Sequence, residues 1–249
     1  DLPRLHDRGG PGYAELCVTT NFTFLTGASH PEELITRAAE LGLHAIAITD
    51  RNSLAGVVRA YTALKELHRE AEEAIRIRSQ HRIDPCSRQE IGQPQPLAKP
   101  DAPRLPRLIV GCRLVLCDSP VDWVALPCNR AAYKRLTRLL TLGKRRAAKG
   151  QCELHLRDML ENCAGMILIA LPQTELAAAT QPVRQVRRRF PGHVFLGAVP
   201  RYDGSDLAYL TACAERAQKT SAPMVAVGDV RPRRPSRRRL ADVLTCRRE

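Results

Sequence analysis

The sequence predicts an α/β domain folded as a barrel of strands covered by helices. Three observations lead there. Strand-length apolar runs alternate with helical periodicity from Tyr13 to Val227. One run, Ala45-Ile46-Ala47-Ile48, is apolar at every position, as strands of a parallel sheet covered on both faces are. The repeated β-α units also lack a Gly-rich phosphate loop, either G-x-x-x-x-G-K-[ST] or G-x-G-x-x-G, which removes the anchor of nucleotide-binding folds. A chain of 249 residues is long enough for one large domain with a full core.

The elements follow in order. Tyr13 to Val18 alternates as a short strand. Ser29-His30-Pro31-Glu32 reads as a capping box with Ser29 as N-cap and Glu32 as N3, opening a helix that buries Leu34, Ile35, Ala38 and Ala39 and stops at Gly42. After strand 45–48, Leu54, Val57, Val58 and Tyr61 give a second helical stripe. From Arg69 to Arg107 the periodicity fails. Six prolines and many charges leave little apolar surface to repay ordering, so this segment is expected to be a disordered surface insertion. Strands are expected at 108–111, continuing through 114–116, and at 121–126, 166–171, 194–199 and 224–227. Helices are expected at 130–142, in a separate segment ending near Cys163, and at 175–189 and 206–218. Residues 1–12 are expected to be disordered, 13–231 to form the barrel, and 232–249 to begin a connection to a further domain.

Charge sets this chain apart. Against 26 acidic residues stand 39 Lys and Arg, for a net charge of +13, a balance that favours polyanionic partners, nucleic acid above all. No run approaches the ~20 apolar residues of a membrane span, and DLPRLHDRGGPGY has no apolar signal segment. There is no initiator Met, which fits a chain whose preceding residues are missing. Nine cysteines, odd in number and never spaced C-x-x-C, argue against a disulfide framework or zinc ribbon and for a reducing cytoplasm.

The motif YAELCVTTNFTFLTGASHPEELITRAAELGLHAIAITDRNSLAGVVRAYTAL, residues 13–64, resembles the opening of the polymerase-and-histidinol-phosphatase (PHP) domain of bacterial C-family replicative polymerases, their error-prone, damage-inducible branch above all. Asn129 to Gly150 and Arg238 to Glu249 resemble the same branch. Together these segments span nearly the whole chain outside 69–107. The resemblance implies a distorted seven-stranded β/α barrel and, in metal-binding members, two or three ions held by His and carboxylate ligands at strand ends, where barrels place their chemistry.

At those places this chain departs from the pattern. Cys17-Val18-Thr19 stands where such members have His-x-His, and Arg51 and Arg231 stand where they have His. Arg113 and Gly197 replace acidic residues. Asp50 and Asp229 remain as candidate ligands, with Cys17 as a third, too few for a polynuclear site. None of the seven His is paired at ligand spacing. The expectation is therefore no bound metal and no catalytic residue, with Arg51, Arg113 or Arg231 neutralising Asp50 and Asp229 in the former cavity.

In relatives the final segment leads into the polymerase palm, whose paired aspartates hold two metals, Mg being expected there alone; they have no counterpart here. The chain is thus expected not to polymerise by itself. It reads as a fragment of a longer polymerase, or a truncated product, with DNA and other translesion components as partners. The basic clusters Lys144-Arg145-Arg146 and Arg233, Arg234, Arg237, Arg238 and Arg239 are candidate phosphate contacts. Arg187-Arg188-Arg189 reads as a solvated helix face. Aromatics at 4% argue against a stacking platform for single strands. A free-standing nucleic-acid-binding protein and an active phosphoesterase or exonuclease are the competing readings.

Overall fold

The computed structural model describes residues 12–81, 105–172, 176–200, 202–232, 236 and 238–248. Eight strand segments and seven helices alternate: β1 (Ala14–Val18), α1 (Pro31–Glu40), β2 (Ala45–Ile48), α2 (Ala55–His81), β3 (Arg107–Val110), β4 (Cys112–Leu114), β5 (Val121–Pro127), α3 (Arg130–Arg146), α4 (Leu156–Asn162), β6 (Met166–Pro172), α5 (Thr180–Arg189), β7 (Val194–Ala198), α6 (Asp206–Thr220), β8 (Met224–Ala226) and α7 (Arg238–Arg248).

The strands form one sheet in the order β1-β2-β3 and another in the order β4-β5-β6-β7-β8. β3 and β4 are two halves of one bent strand with Gly111 at the bend. The first half pairs parallel with β2 and the second antiparallel with β5. Counting it once gives the seven strands of the expected barrel. A Cβ at Gly111 would lie 2.6 Å from Leu126 Cδ2 and 2.9 Å from Thr49 Cγ2, so only glycine lets the strand pass from one sheet to the other there. The barrel closes on its other side through a parallel bridge between Val18 and Val230, with Thr19 N donating to Val230 O at 2.8 Å and Val230 N to Cys17 O at 2.9 Å.

The pleat sorts side chains into three apolar layers. Val18, Ile46 and Ile48 pack outward against Leu34, Ile35 and Ala38 of α1 and Ala60 and Leu64 of α2. Trp123, Leu168, Ala170 and Leu196 pack outward against Leu136 and Leu139 of α3 and Val183 and Val186 of α5. Cys17, Ala47, Val124, Ile169, Leu171 and Val227 point the other way and fill the barrel interior.

Several expectations need correction. The N-cap of α1 is His30, one residue later than Ser29, and the Glu33 carboxylate, not that of Glu32, accepts from the His30 amide at 3.1 Å. Pro31 at the first helical position shifts the start, since its ring already sets a helical φ and needs no donor there. Helix α2 runs on to His81, so the insertion is not irregular from Arg69. Its Ala, Glu and Arg content carries the helix without an apolar face, helped by the Arg76–Glu73 pair at 2.7 Å. Residues 82–104 lie outside the described residues, as do 1–11. On α2 the buried positions are Ala60, Ala63 and Leu64, while Val58 and Tyr61 face outward at 70% and 61% exposure. Helix α5 begins at Thr180 rather than near 175. β5 runs antiparallel to both its neighbours, because the six residues between β4 and β5 suffice for a hairpin but not for a parallel crossover.

Candidate functional site

The mouth of the barrel gathers residues from four strands and from the loop after β8. Alternation along β1 turns Glu15, Cys17 and Thr19 inward; β4 contributes Arg113, β5 contributes Asp122, β7 contributes Gly197, and the loop after β8 contributes Asp229. Arg113 lies between two carboxylates. Its Nε donates to Asp122 Oδ2 at 2.8 Å and its Nη1 to Asp229 Oδ1 at 2.8 Å. Arg113 is 8% exposed and Asp122 is 9% exposed. Burial opposes the charge of Arg113, but Asp229, Cys17 and Asp122 outweigh it and raise the pKa. Burial also pushes the Asp122 carboxyl up, against the pull of Arg113.

Arg231 reaches Asp229 Oδ2 at 3.4 Å from a side chain 38% exposed, a looser contact. Arg51 forms a parallel bridge with Arg113 through its backbone but leaves its own side chain exposed, without an ion pair among the described residues. Two of the three arginines therefore meet Asp229. None meets Asp50.

Asp50 is instead held by neutral donors. It is fully buried, and its Oδ1 accepts from Thr20 N at 2.9 Å, Thr20 Oγ1 at 3.0 Å and Thr23 Oγ1 at 2.8 Å. Gly56, in the first turn of α2, presents its backbone to the same carboxylate; a Cβ there would lie 2.5 Å from Asp50 Oδ2. Burial raises the Asp50 pKa, and these hydrogen bonds only moderate the rise. The expectation that arginine neutralises Asp50 is thus corrected. Hydroxyls of the β1–α1 loop and the start of α2 do that work, as neutral dipoles aimed at an anion can.

Cys17 is fully buried, with Sγ 3.5 Å from Asp229 Oδ1 and 3.8 Å from Thr49 Oγ1. Burial first, then Asp229, drives its thiol pKa far up, so it stays protonated and inert. Thr19 is buried at 2% exposure, and its hydroxyl finds no hydrogen-bond partner among the described residues. At Gly197 a Cβ would lie 2.6 Å from Leu171 Cδ2 and 3.1 Å from Ile169 Cγ2, so apolar packing occupies the space an acidic side chain would need.

Two carboxylates at this mouth carry no obvious sequence signal. Asp122 sits alone in the apolar strand Val121-Asp122-Trp123-Val124. Glu15, 4% exposed, accepts from Tyr13 Oη at 2.8 Å, Cys17 N at 3.0 Å and Gly228 N at 3.0 Å. A lone acid within an otherwise apolar strand was the available clue for both.

As a metal centre this donor set does not fit. Asp122 and Asp229 are spanned by a guanidinium, and Asp50 is saturated by hydroxyl and amide donors. Among the described residues no three His, Cys, Asp or Glu side chains gather as a candidate ion site.

The basic clusters separate. Lys144 and Arg145 are exposed near the end of α3, while Arg146 pairs with Asp158 at 2.5 Å. Burial alone would raise the Asp158 pKa, but Arg146 and the His155 amide outweigh it and the pKa falls. Arg239 is exposed on α7, which also carries Arg238. Arg233, Arg234 and Arg237 lie outside the described residues. Arg187 is not simply solvated: its Nε donates to Ser221 O at 2.9 Å, and Arg184 Nη2 donates to Lys219 O at 2.9 Å, so α5 caps the C-terminal end of α6. No helix among the described residues is long and apolar enough to cross a membrane.

Comparison with known proteins supplies the family. The pattern of the PHP domain matches residues 15–189, from β1 through α5. The chain belongs to the PHP domain family. Among its relatives, an error-prone DNA polymerase of Ruegeria pomeroyi is 77% identical over 237 residues, covering 95% of this chain and 22% of the relative. An error-prone DNA polymerase of Rhodopseudomonas palustris is 39% identical over 241 residues, covering 96% of this chain and 19% of the relative. The PHP domain described here thus spans about a fifth of the length of these relatives. In fold it is similar to a candidate metal-dependent phosphoesterase of Bifidobacterium adolescentis, with a TM-score of 0.52 at 14% identity over 91% of this chain and 90% of that one.

Proposed function

We propose that this PHP domain is a catalytically silent module of an error-prone DNA polymerase. It supports DNA synthesis past damage through structure and contacts rather than by hydrolysis. The observation that carries the reading is Arg113, whose guanidinium ties Asp122 to Asp229 at the strand ends where hydrolytic members of the family hold ions. A phosphoesterase of that kind needs several ligands to hold metals and activate a water. Here a fixed cation takes the place of the metal charge and activates nothing. Nucleotidyl transfer and its Mg ions belong, on this reading, to the palm of the whole polymerase in the bacterial cytoplasm. DNA and the other components of damage-tolerant synthesis are its partners.

The test is elemental analysis of the purified chain, paired with an assay of phosphodiester hydrolysis in added Mn or Zn. Metal below one ion per chain and no hydrolysis above buffer are expected. Two or more tightly held ions, lost in Asp50→Asn and Asp229→Asn, would overturn the proposal.

A further inference from the structure

A separate cleft lies beside the mouth. Its volume is about 810 Å³, within the range of small-molecule sites, and it is walled by the β1–α1 loop, the β2–α2 loop, residues 115–117 after β4 and the segment following α3. Three of its lining residues are cationic (Arg51, Lys144 and Lys149), and no Asp or Glu lines it. All three are exposed, and none forms an ion pair with a described residue. The Asp50 carboxylate is buried and saturated by Thr20 and Thr23, while Asp118 and Glu153, next in sequence to the lining residues Cys117 and Cys152, both lie against His155. Cations gathered with no counter-charge repel one another unless an anion joins them.

The cleft also presents an aromatic face. Phe24 is 83% exposed, in a chain with only four Phe. Next to it Leu25 holds φ 56, and across the cleft Asn52 holds φ 45, both left-handed conformations that cost a non-glycine residue energy. The second is firmly held. Asn52 Nδ2 donates to Val115 O at 3.1 Å, Val115 N donates to Asn52 Oδ1 at 2.9 Å, and Asn52 N donates to Arg113 O at 2.9 Å. The wall that carries Arg51 is therefore rigid before anything binds.

The helix that carries Lys144 is itself strongly cationic. Helix α3 carries seven cationic residues and no acidic one, and Lys134, Arg138 and Arg145 fall within one face by helical spacing. Like charges four residues apart destabilise a helix unless a polyanion offsets them.

We propose that this cleft binds one nucleotide of single-stranded DNA, with its phosphate among Arg51, Lys144 and Lys149 and its base against Phe24. Of the two exposed rings that line the cleft, Phe22 (38% exposed) already carries the Arg59 guanidinium 5.9 Å over it, which leaves Phe24 for one base rather than a platform for many. The proposal does not depend on whether the barrel mouth holds metal, so either can fail without the other.

The test is fluorescence anisotropy of a labelled oligo-dT with the 249-residue chain at several salt concentrations. Lys144→Ala with Lys149→Ala should weaken binding about tenfold at low salt and flatten the log–log salt slope by about 1.4, as expected for two lost phosphate contacts on a single strand. Phe24→Ala should weaken it about fivefold or more, and an abasic oligomer should erase that difference. Lys65→Ala with Arg188→Ala removes the same charge elsewhere and should change affinity less than twofold. The proposal is overturned if the cleft variants bind like the parent, if the remote pair costs as much, or if polyglutamate of equal charge competes as well as DNA. Competition by free dTTP would assign the same phosphate-and-base chemistry to a nucleotide in solution. Its absence, with the losses above, would assign it to the strand.

Discussion

Arg51 and Arg113 face each other across a parallel β-bridge, yet only Arg113 turns its side chain into the barrel. Both are arginines near strand ends, but their energetic roles should differ. Removing a buried guanidinium strands the carboxylates it served, which costs about 3–5 kcal/mol, whereas an exposed pair is worth about 0–1. Arg113→Ala should therefore lower unfolding free energy in urea by several kcal/mol, and adding Asp229→Asn should restore part of it. Arg51→Ala should stay within about half a kcal/mol and Arg231→Ala within about one. Equal, small effects at all three positions would mean that Arg113 contributes no more than a surface charge.

Two of the perturbed aspartates, Asp50 and Asp158, should give opposite pH signatures. Asp50 has a raised folded-state pKa because burial disfavours its charge. Its contribution is fully present below the unfolded pKa and is lost as pH rises through the folded one. Asp158 has a lowered folded-state pKa, so its contribution is present above the unfolded pKa and is lost as pH falls through the folded one. Relative to the parent, Asp50→Asn should gain stability as pH is raised from the unfolded value towards neutrality. Asp158→Asn should instead remove part of the loss on acidification. Thermal melts of the three proteins across pH 3–8 (roughly the range spanning these titrations) would show it, and parallel curves would refute both assignments.

Restoring an acid at position 197 should not restore a site. A Cβ there already meets Leu171 and Ile169, so Gly197→Ala should cost about 1–3 kcal/mol by overpacking. Gly197→Asp should cost more, since it adds a charge to an apolar wall without a partner. A Gly197→Asp protein as stable as the parent would mean that the interior is looser than its packing implies.

The strands were the most legible part of this chain. Ala45–Ile48, Met166–Leu171 and Val194–Val199 announce themselves through apolar runs bounded by helical stripes, which point to an α/β barrel, while its seven strands were implied by the family resemblance. Helix α2 beyond Arg69 was not legible, because its stability there comes from backbone propensity and i,i+3 pairs rather than from an apolar face. The site was half legible. Arg113 and Asp229 could be matched from motif positions. Asp122 could not, because it reaches Arg113 only when β5 lies antiparallel to β4. The Thr20 and Thr23 hydroxyls that hold Asp50 are common residues in a loop some thirty positions away, and nothing in their spacing marks them.

The bend at Gly111 has a mechanical consequence. Two residues before Arg113, the chain passes from the sheet of β1–β3 into the sheet of β4–β8, so the two halves of the wall share one continuous strand. The halves meet a second time where Val18 bridges Val230, next to Asp229, so a tilt about Gly111 has to break the Thr19–Val230 and Val230–Cys17 backbone bonds. Arg113 reinforces that seam, because it ties Asp229 back to β4. The barrel should therefore move as one piece whenever a larger assembly pushes on either side.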